Sequence, residues 1–144
     1  MRTHIFVVAA ALVGLAVTGS QVRAHHAFAA EFDVNKPVKL TGTLLKWEMV
    51  NPHSWFHIDV KGPDGKVTTW KVEGGSPNQL IRLGVTKQTL PIGTEILVDA
   101  YQAKDGTMKA VGRDFVLPDG KRLFLGGSAA NVGGPPAGSS PAAK

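Results

Sequence analysis

Three Asp-Gly pairs punctuate this chain, in Pro63-Asp64-Gly65, Lys104-Asp105-Gly106 and Pro118-Asp119-Gly120. Such a pair between apolar runs marks a tight reversal: the Asp side chain satisfies turn amides, and Gly takes positive φ without a Cβ penalty. The runs around the turns alternate as strands do. Ser54, Phe56, Ile58 and Val60 share one face of a strand over Trp55–Lys61, and His53, Trp55, His57 and Asp59 share the other. Across the first turn, Val67–Glu73 puts Trp70 and Val72 on one face. Upstream, Val38–Val50 reads as one long strand, bent at Gly42 and stopped by Asn51-Pro52. Thr41, Thr43, Leu45, Trp47 and Met49 share its parity, and burial is expected for Trp47 and Trp70.

A helix is expected between the third and fourth strands. Ser76 suits the N-cap, Pro77 the first turn, and Gln79 completes a Ser-x-x-Gln capping box. Leu80, Ile81 and Leu83 form its apolar stripe, and Gly84 ends it. Glu95–Gln102 then alternates, with either Ile96, Val98 and Ala100 or Leu97 and Tyr101 facing inward. Thr107–Leu117 follows, with Gly112 as a bulge, and a short strand runs from Arg122 to Leu125. Three strands, a helix and two more strands is the order of an OB-like five-stranded Greek-key barrel. The fold class expected is therefore all-β with one short helix.

Arg2 and His4 precede the apolar run 5–17, and Val22-Arg23-Ala24 follows a polar stretch. That is the layout of a secretory signal peptide, and the run is too short to span a bilayer comfortably. Cleavage after Ala24 leaves His25 first; a rival cut after Ala29 discards both His25 and His26. The organisation expected is a signal peptide over 1–24, an N-terminal segment over 25–36, the barrel domain over 37–125 and a disordered Gly/Pro/Ala/Ser tail over 126–144. Export implies a periplasmic or secreted protein, with no membrane span after the signal is removed. The chain has no cysteine, which excludes disulfides, thiolate metal sites and cysteine nucleophiles. Its sixteen basic residues lose Arg2 and Arg23 with the signal, leaving a charge of +3 against eleven acids. That is no nucleic-acid footprint.

Histidine supplies the chemistry that remains. His25, His26, His53 and His57 follow the expected cut, and no phosphate loop, nucleophile elbow or zinc-protease motif is present. Nor is there a nucleophile–base pair or carboxylate dyad, so no enzyme is expected. A first residue that is His offers an α-amine and an imidazole to one ion, and such nitrogen donors suit Cu(II). His26, His53 or His57 can supply a third nitrogen. In a continuous strand His53 and His57 stand about 13 Å apart and cannot share an ion. The competing readings are plain ones: a solvated His25-His26, a His53 that orders the loop after Asn51-Pro52, and a His57 paired with Asp59 or another carboxylate. Glu31 and Asp33 are available oxygen donors near the start of the mature chain.

Several blocks carry a resemblance: His25-His26-Ala27-Phe28, Glu31-Phe32-Asp33, Gly42-Thr43, Asn51-Pro52-His53-Ser54-Trp55, Val72-Glu73-Gly74-Gly75-Ser76-Pro77 and Gly112-Arg113-Asp114. Over most of 24–126 the chain resembles a family of small exported proteobacterial proteins of unknown function, and the Asn-Pro-His block is the most specific part. The resemblance implies an exported OB-like domain, no established activity, and a possible site at Asn51, Pro52, His53 and Glu73 around the helix start. Two expectations follow. One is a binding protein holding copper through His25 with His26 and His53 or His57. The other is a metal-free module whose outer face, with Asn51, Trp55, Asp59 and Glu73, takes a small ligand or a protein partner.

Overall fold

The computed structural model describes residues 28–127 and 129. The expected signal peptide, His25, His26 and the tail from 130 lie outside these residues. Among the described residues six strands and a short helix follow in order: β1 (Phe32–Glu48), β2 (Trp55–Lys61), β3 (Val67–Glu73), α1 (Pro77–Arg82), β4 (Glu95–Ala103), β5 (Lys109–Val116) and β6 (Arg122–Phe124). Residues 28–31 form a single helical turn ahead of β1. The structure is mostly antiparallel β, in the order β3-β2-β1-β4-β5-β6. A parallel pairing of β3 with β5, from Lys71–Lys109 to Glu73–Val111, closes β1 to β5 into a ring and leaves β6 paired with β5 alone. No helix among the described residues is long and apolar enough to cross a membrane.

The three Asp-Gly turns form by one mechanism. Asp64, Asp105 and Asp119 each accept the amide two residues on, from Lys66, Thr107 and Lys121, at 3.1, 3.0 and 2.9 Å. Gly65, Gly106 and Gly120 all have φ near +80° (80°, 76° and 82°). Each carboxylate thereby replaces a turn hydrogen bond that the backbone alone would leave unmade.

Two departures from strand periodicity shape the ring. β1 starts at Phe32, six residues before the expected Val38, because Phe32 pairs with Ala103 of β4. Its parity then changes where the β1–β2 register shifts between Leu44 and Lys46. Leu40 and Leu44 are buried before the shift, Leu45 is exposed, and Trp47 and Met49 pack against the core after it. One parity therefore cannot describe the strand, since a bulge adds a residue and turns the following side chains over. Gly42 sits where β1 pairs with both Val60 and Ile96, and a Cβ there would lie 2.2 Å from the Asp59 carbonyl oxygen. Only glycine allows that approach.

The helix is shorter than its sequence pattern. Ser76 Oγ caps the amide of Gln79 at 3.4 Å, as the capping box predicts. The Gln79 side chain does not return to Ser76; its Oε1 accepts the Gly127 amide at 3.2 Å. Of the expected stripe only Leu80 is buried, while Ile81 and Leu83 are exposed.

Alternate residues of the strands feed two separate apolar clusters. The main core takes Leu44, Phe56, Ile58, Val72, Leu80, Ile96, Val98, Ala100, Ala110 and Phe115, so Ile96, Val98 and Ala100 are the inward set of β4. The second cluster lies on the opposite face of β4 and β5 and holds Phe28, Phe32, Tyr101, Ala103, Val111 and Ala129. Phe28 meets Tyr101 edge-on at 5.8 Å between ring centroids and Phe32 at 6.1 Å. Residues assigned by sequence to an aperiodic leader and a tail thus cover this outer face together. Each fully buried large side chain contributes roughly 1.5–3 kcal/mol, so the second cluster is a substantial anchor.

Candidate functional site

β2, β3 and β5 run side by side, with Trp55 opposite Glu73 and Glu73 opposite Val111. Their outward positions therefore form a continuous row from His53 and Trp55, through Lys71 and Glu73, to Lys109 and Val111. The loop before β2 carries a cis Asn51–Pro52 peptide. Two backbone bonds then tie it to the end of β3: the Ser54 amide donates to Gly75 at 3.0 Å, and the Gly74 amide donates to Ser54 at 2.9 Å. Those bonds extend the β2–β3 ladder and set His53 beside Glu73.

His53 Nδ1 lies 3.0 Å from Glu73 Oε1, and Glu73 is only 3% exposed although it sits on the outer face. A carboxylate accepts and does not donate, so Nδ1 is the ring nitrogen that turns a proton toward Glu73. A buried acid in this position holds the orientation of a histidine ring. The two glycines that follow Glu73 are tightly packed. A Cβ at Gly74 would lie 2.9 Å from the Phe56 ring, and one at Gly75 would lie 3.0 Å from the Gly127 amide nitrogen. The Gly75 amide donates to Leu125 at 2.7 Å, which brings the chain just before Gly127 and Ala129 across the end of β3. Ser54 Oγ is buried without a hydrogen-bond partner among the described residues.

His57 has a different acid. Its Nε2 lies 3.1 Å from Glu48 Oε1 at the end of β1, on the other side of β2 from Glu73. Lys46, 2.7 Å from Glu48, holds that carboxyl below its ordinary range by hydrogen bond and charge; partial burial opposes, and His57 and Lys71 reinforce the shift. His53 and His57 are thus bound to acids on opposite flanks of one strand and do not converge. Asp59 is engaged by the Thr69 hydroxyl at 2.5 Å across the β2–β3 ladder, and Asn51 is exposed in its loop. No group of three or more His, Asp or Glu able to hold a metal occurs among the described residues.

Trp55 stands beside the His53–Glu73 pair with two cations over it, Lys71 Nζ at 4.6 Å and Lys109 Nζ at 5.2 Å from the ring centroid. Lys109 also forms an ion pair with Glu31, and Lys104 bonds the Ala29 carbonyl. Phe28 belongs to the same apolar cluster as Val111, the register partner of Glu73. The start of the described chain is therefore fastened next to the row that holds Glu73 and Trp55.

A second polar cluster was not visible in the sequence. Asp99 and Asp114 face each other across β4 and β5, and both are buried. The ladder skips a residue there, since Asp99 pairs with Asp114 and Ala100 with Gly112. Arg113 is the extra residue, and the bulge turns its side chain to the same side as Asp114. Arg122 Nη1 donates to Asp114 at 2.6 Å and Asp99 at 3.3 Å; Arg113 Nε donates to Asp114 at 3.3 Å; Lys39 Nζ donates to Asp99 at 2.6 Å. Burial pushes the Asp99 carboxyl up, but Lys39, Arg122 and the Arg113 charge outweigh it and hold Asp99 below 3.8. The sequence signals for this cluster were the Gly112-Arg113-Asp114 block and an acid at the centre of an apolar run, Leu97-Val98-Asp99-Ala100-Tyr101.

The chain matches the family of unknown function DUF6152 over residues 11–112, most of its length, and belongs to that family. No curated protein and no solved structure matches it.

Proposed function

We propose that this is a small exported binding protein, periplasmic or secreted and not an enzyme, whose strand ring is an OB-like barrel and which holds copper at the His53 end of that ring. Cu(II) is bound by the α-amine and imidazole of a first residue His25, by His53 Nε2, and by His26 as a further nitrogen. The observation that carries the reading is the 3.0 Å contact of His53 with the buried Glu73. It favours a histidine oriented for a ligand over one that merely orders a loop, and it favours His53 over His57. The anchoring of Phe28 supports the reading from the other side. His25 and His26 precede Phe28 by three and two positions, a reach of about 10 Å of extended chain at most. Phe28 also argues for a signal cut after Ala24, since a cut after Ala29 would remove a side chain of the second cluster. The barrel reading is supported by the strand order, by the parallel β3–β5 pairing and by the place of α1 between β3 and β4.

The test is native mass spectrometry of protein exported without a tag and titrated with Cu(II). A mass beginning at His25 with one copper retained against a weak chelator is expected. A mass beginning at Ala30, or no copper retained, overturns the reading. The second reading, a metal-free module, is favoured by Trp55 with Lys71 and Lys109 above it, a platform for an acidic or aromatic group of a small ligand or partner protein. It predicts partner capture that Trp55→Ala abolishes and chelators leave unchanged.

A further inference from the structure

A cavity of about 310 Å³ opens on the outer face of β1, β4 and β5, lined by Pro37, Val38, Lys39, Asp99, Ala100, Tyr101 and Arg113. That is the lower end of the size range for small-ligand sites. We propose that it binds a small organic monoanion, with a carboxylate head on Arg113, Lys39 and the Tyr101 hydroxyl and a short apolar body against Pro37 and the Tyr101 ring, which are register partners on this face. The charge balance is the first support. Lys39, Arg113 and Arg122 are three cations against two acids, Asp99 and Asp114, an excess of one positive charge. Asp99 faces the cavity, but both its oxygens are engaged, Oδ1 by Lys39 and Oδ2 by Arg122.

The donors left over are the second support. Arg113 uses Nε on Asp114, and its Nη2 stands 3.7 Å from Asp99, too far for a hydrogen bond. Its Nη edge therefore keeps donors for a carboxylate, which guanidinium binds in a two-pronged fashion. Lys39 has three donors, and one hydrogen bond from it is made among the described residues. Tyr101 is 8% exposed, and its hydroxyl is not among the enclosed side-chain atoms, so a bound oxygen can reach it. The two carboxylates explain why the cation is ready: they fix Arg113 on its bulge before any ligand arrives, so little side-chain freedom is lost on binding.

The experiment is an amide NMR titration of the exported protein with butyrate, beside butyramide and sulfate. For six heavy atoms a dissociation constant on the order of a millimolar is expected. Saturable shifts at Val38, Ala100, Tyr101 and Arg113 with butyrate, and none of that kind with butyramide, are expected. Tyr101→Phe leaves every ion pair in place and should weaken butyrate about tenfold, the loss of one hydrogen bond to a charged group. Lys39→Gln should weaken it by a similar factor. No saturable shift, an equal response to butyramide, or wild-type affinity in both variants overturns the site. Equal binding of sulfate at the same resonances overturns the assignment to an organic anion.

Discussion

The two apolar clusters are built from different parts of the chain. Residues between Leu40 and Leu125 supply the main core, to which the strands, Leu80 of α1 and Val85 and Leu90 after it all contribute. The outer cluster needs Phe28 and Phe32 from one end of the described chain and Ala129 from the other, laid over Tyr101, Ala103 and Val111. The first cluster determines whether the protein folds. The second fixes the start of the described chain, and under the proposed function it sets what the preceding residues deliver beside Glu73 and His53.

Substitutions should separate these roles. Phe56→Ala leaves a cavity between Trp47 and Phe115, whose rings lie 5.5 and 4.9 Å from it, and should cost about 3–5 kcal/mol by urea unfolding. Phe28→Ala is expected to cost less, about 2 kcal/mol, since the site borders solvent and can partly relax. The same variant should lose copper although it removes no ligand. Retained copper in Phe28→Ala would show that the outer cluster does not position the segment.

The buried acids allow a test by pH. Asp99 is held below 3.8, so its stabilisation is complete above that value and fades as the pH falls through the lower folded-state value. Asp99→Asn should therefore flatten the acid limb of the stability curve below about pH 4, read as urea midpoints at pH 3 and pH 7. An unchanged acid limb would mean other carboxylates set it. The smallest effect belongs to the helix surface: Ile81→Ser should move stability by no more than about 0.5 kcal/mol, because Ile81 is 56% exposed.

Features fixed by neighbours in the chain were legible in the sequence. The Asp-Gly turns, the alternation of β2, the Ser76 cap and the Gly84 stop depend on residues a few positions apart. Features fixed by pairing were not. The early start of β1 depends on Ala103, the parity change at Leu45 on the register with β2, and the turning of Arg113 on the skip opposite Asp99 and Ala100. The candidate site divides the same way. His53, His57 and Glu73 could be named from residue type and resemblance, but the partners that distinguish the two histidines, Glu73 and Glu48, come from strand register alone. Lys39, Asp99 and Arg122 come from separate stretches and carried no motif, and the block holding Asp114 named no partner for it.

The difference between the two histidines is the most direct test of the proposed function. Cu(II) affinity should be measured by chelator competition for the exported protein and for His53→Ala, His57→Ala and Glu73→Gln, with folding checked for each by circular dichroism. The account predicts that His53→Ala loses at least tenfold in affinity, that Glu73→Gln loses about 10-fold through the orientation of His53, and that His57→Ala binds as the wild type does. Equal affinity in His53→Ala and His57→Ala would contradict it.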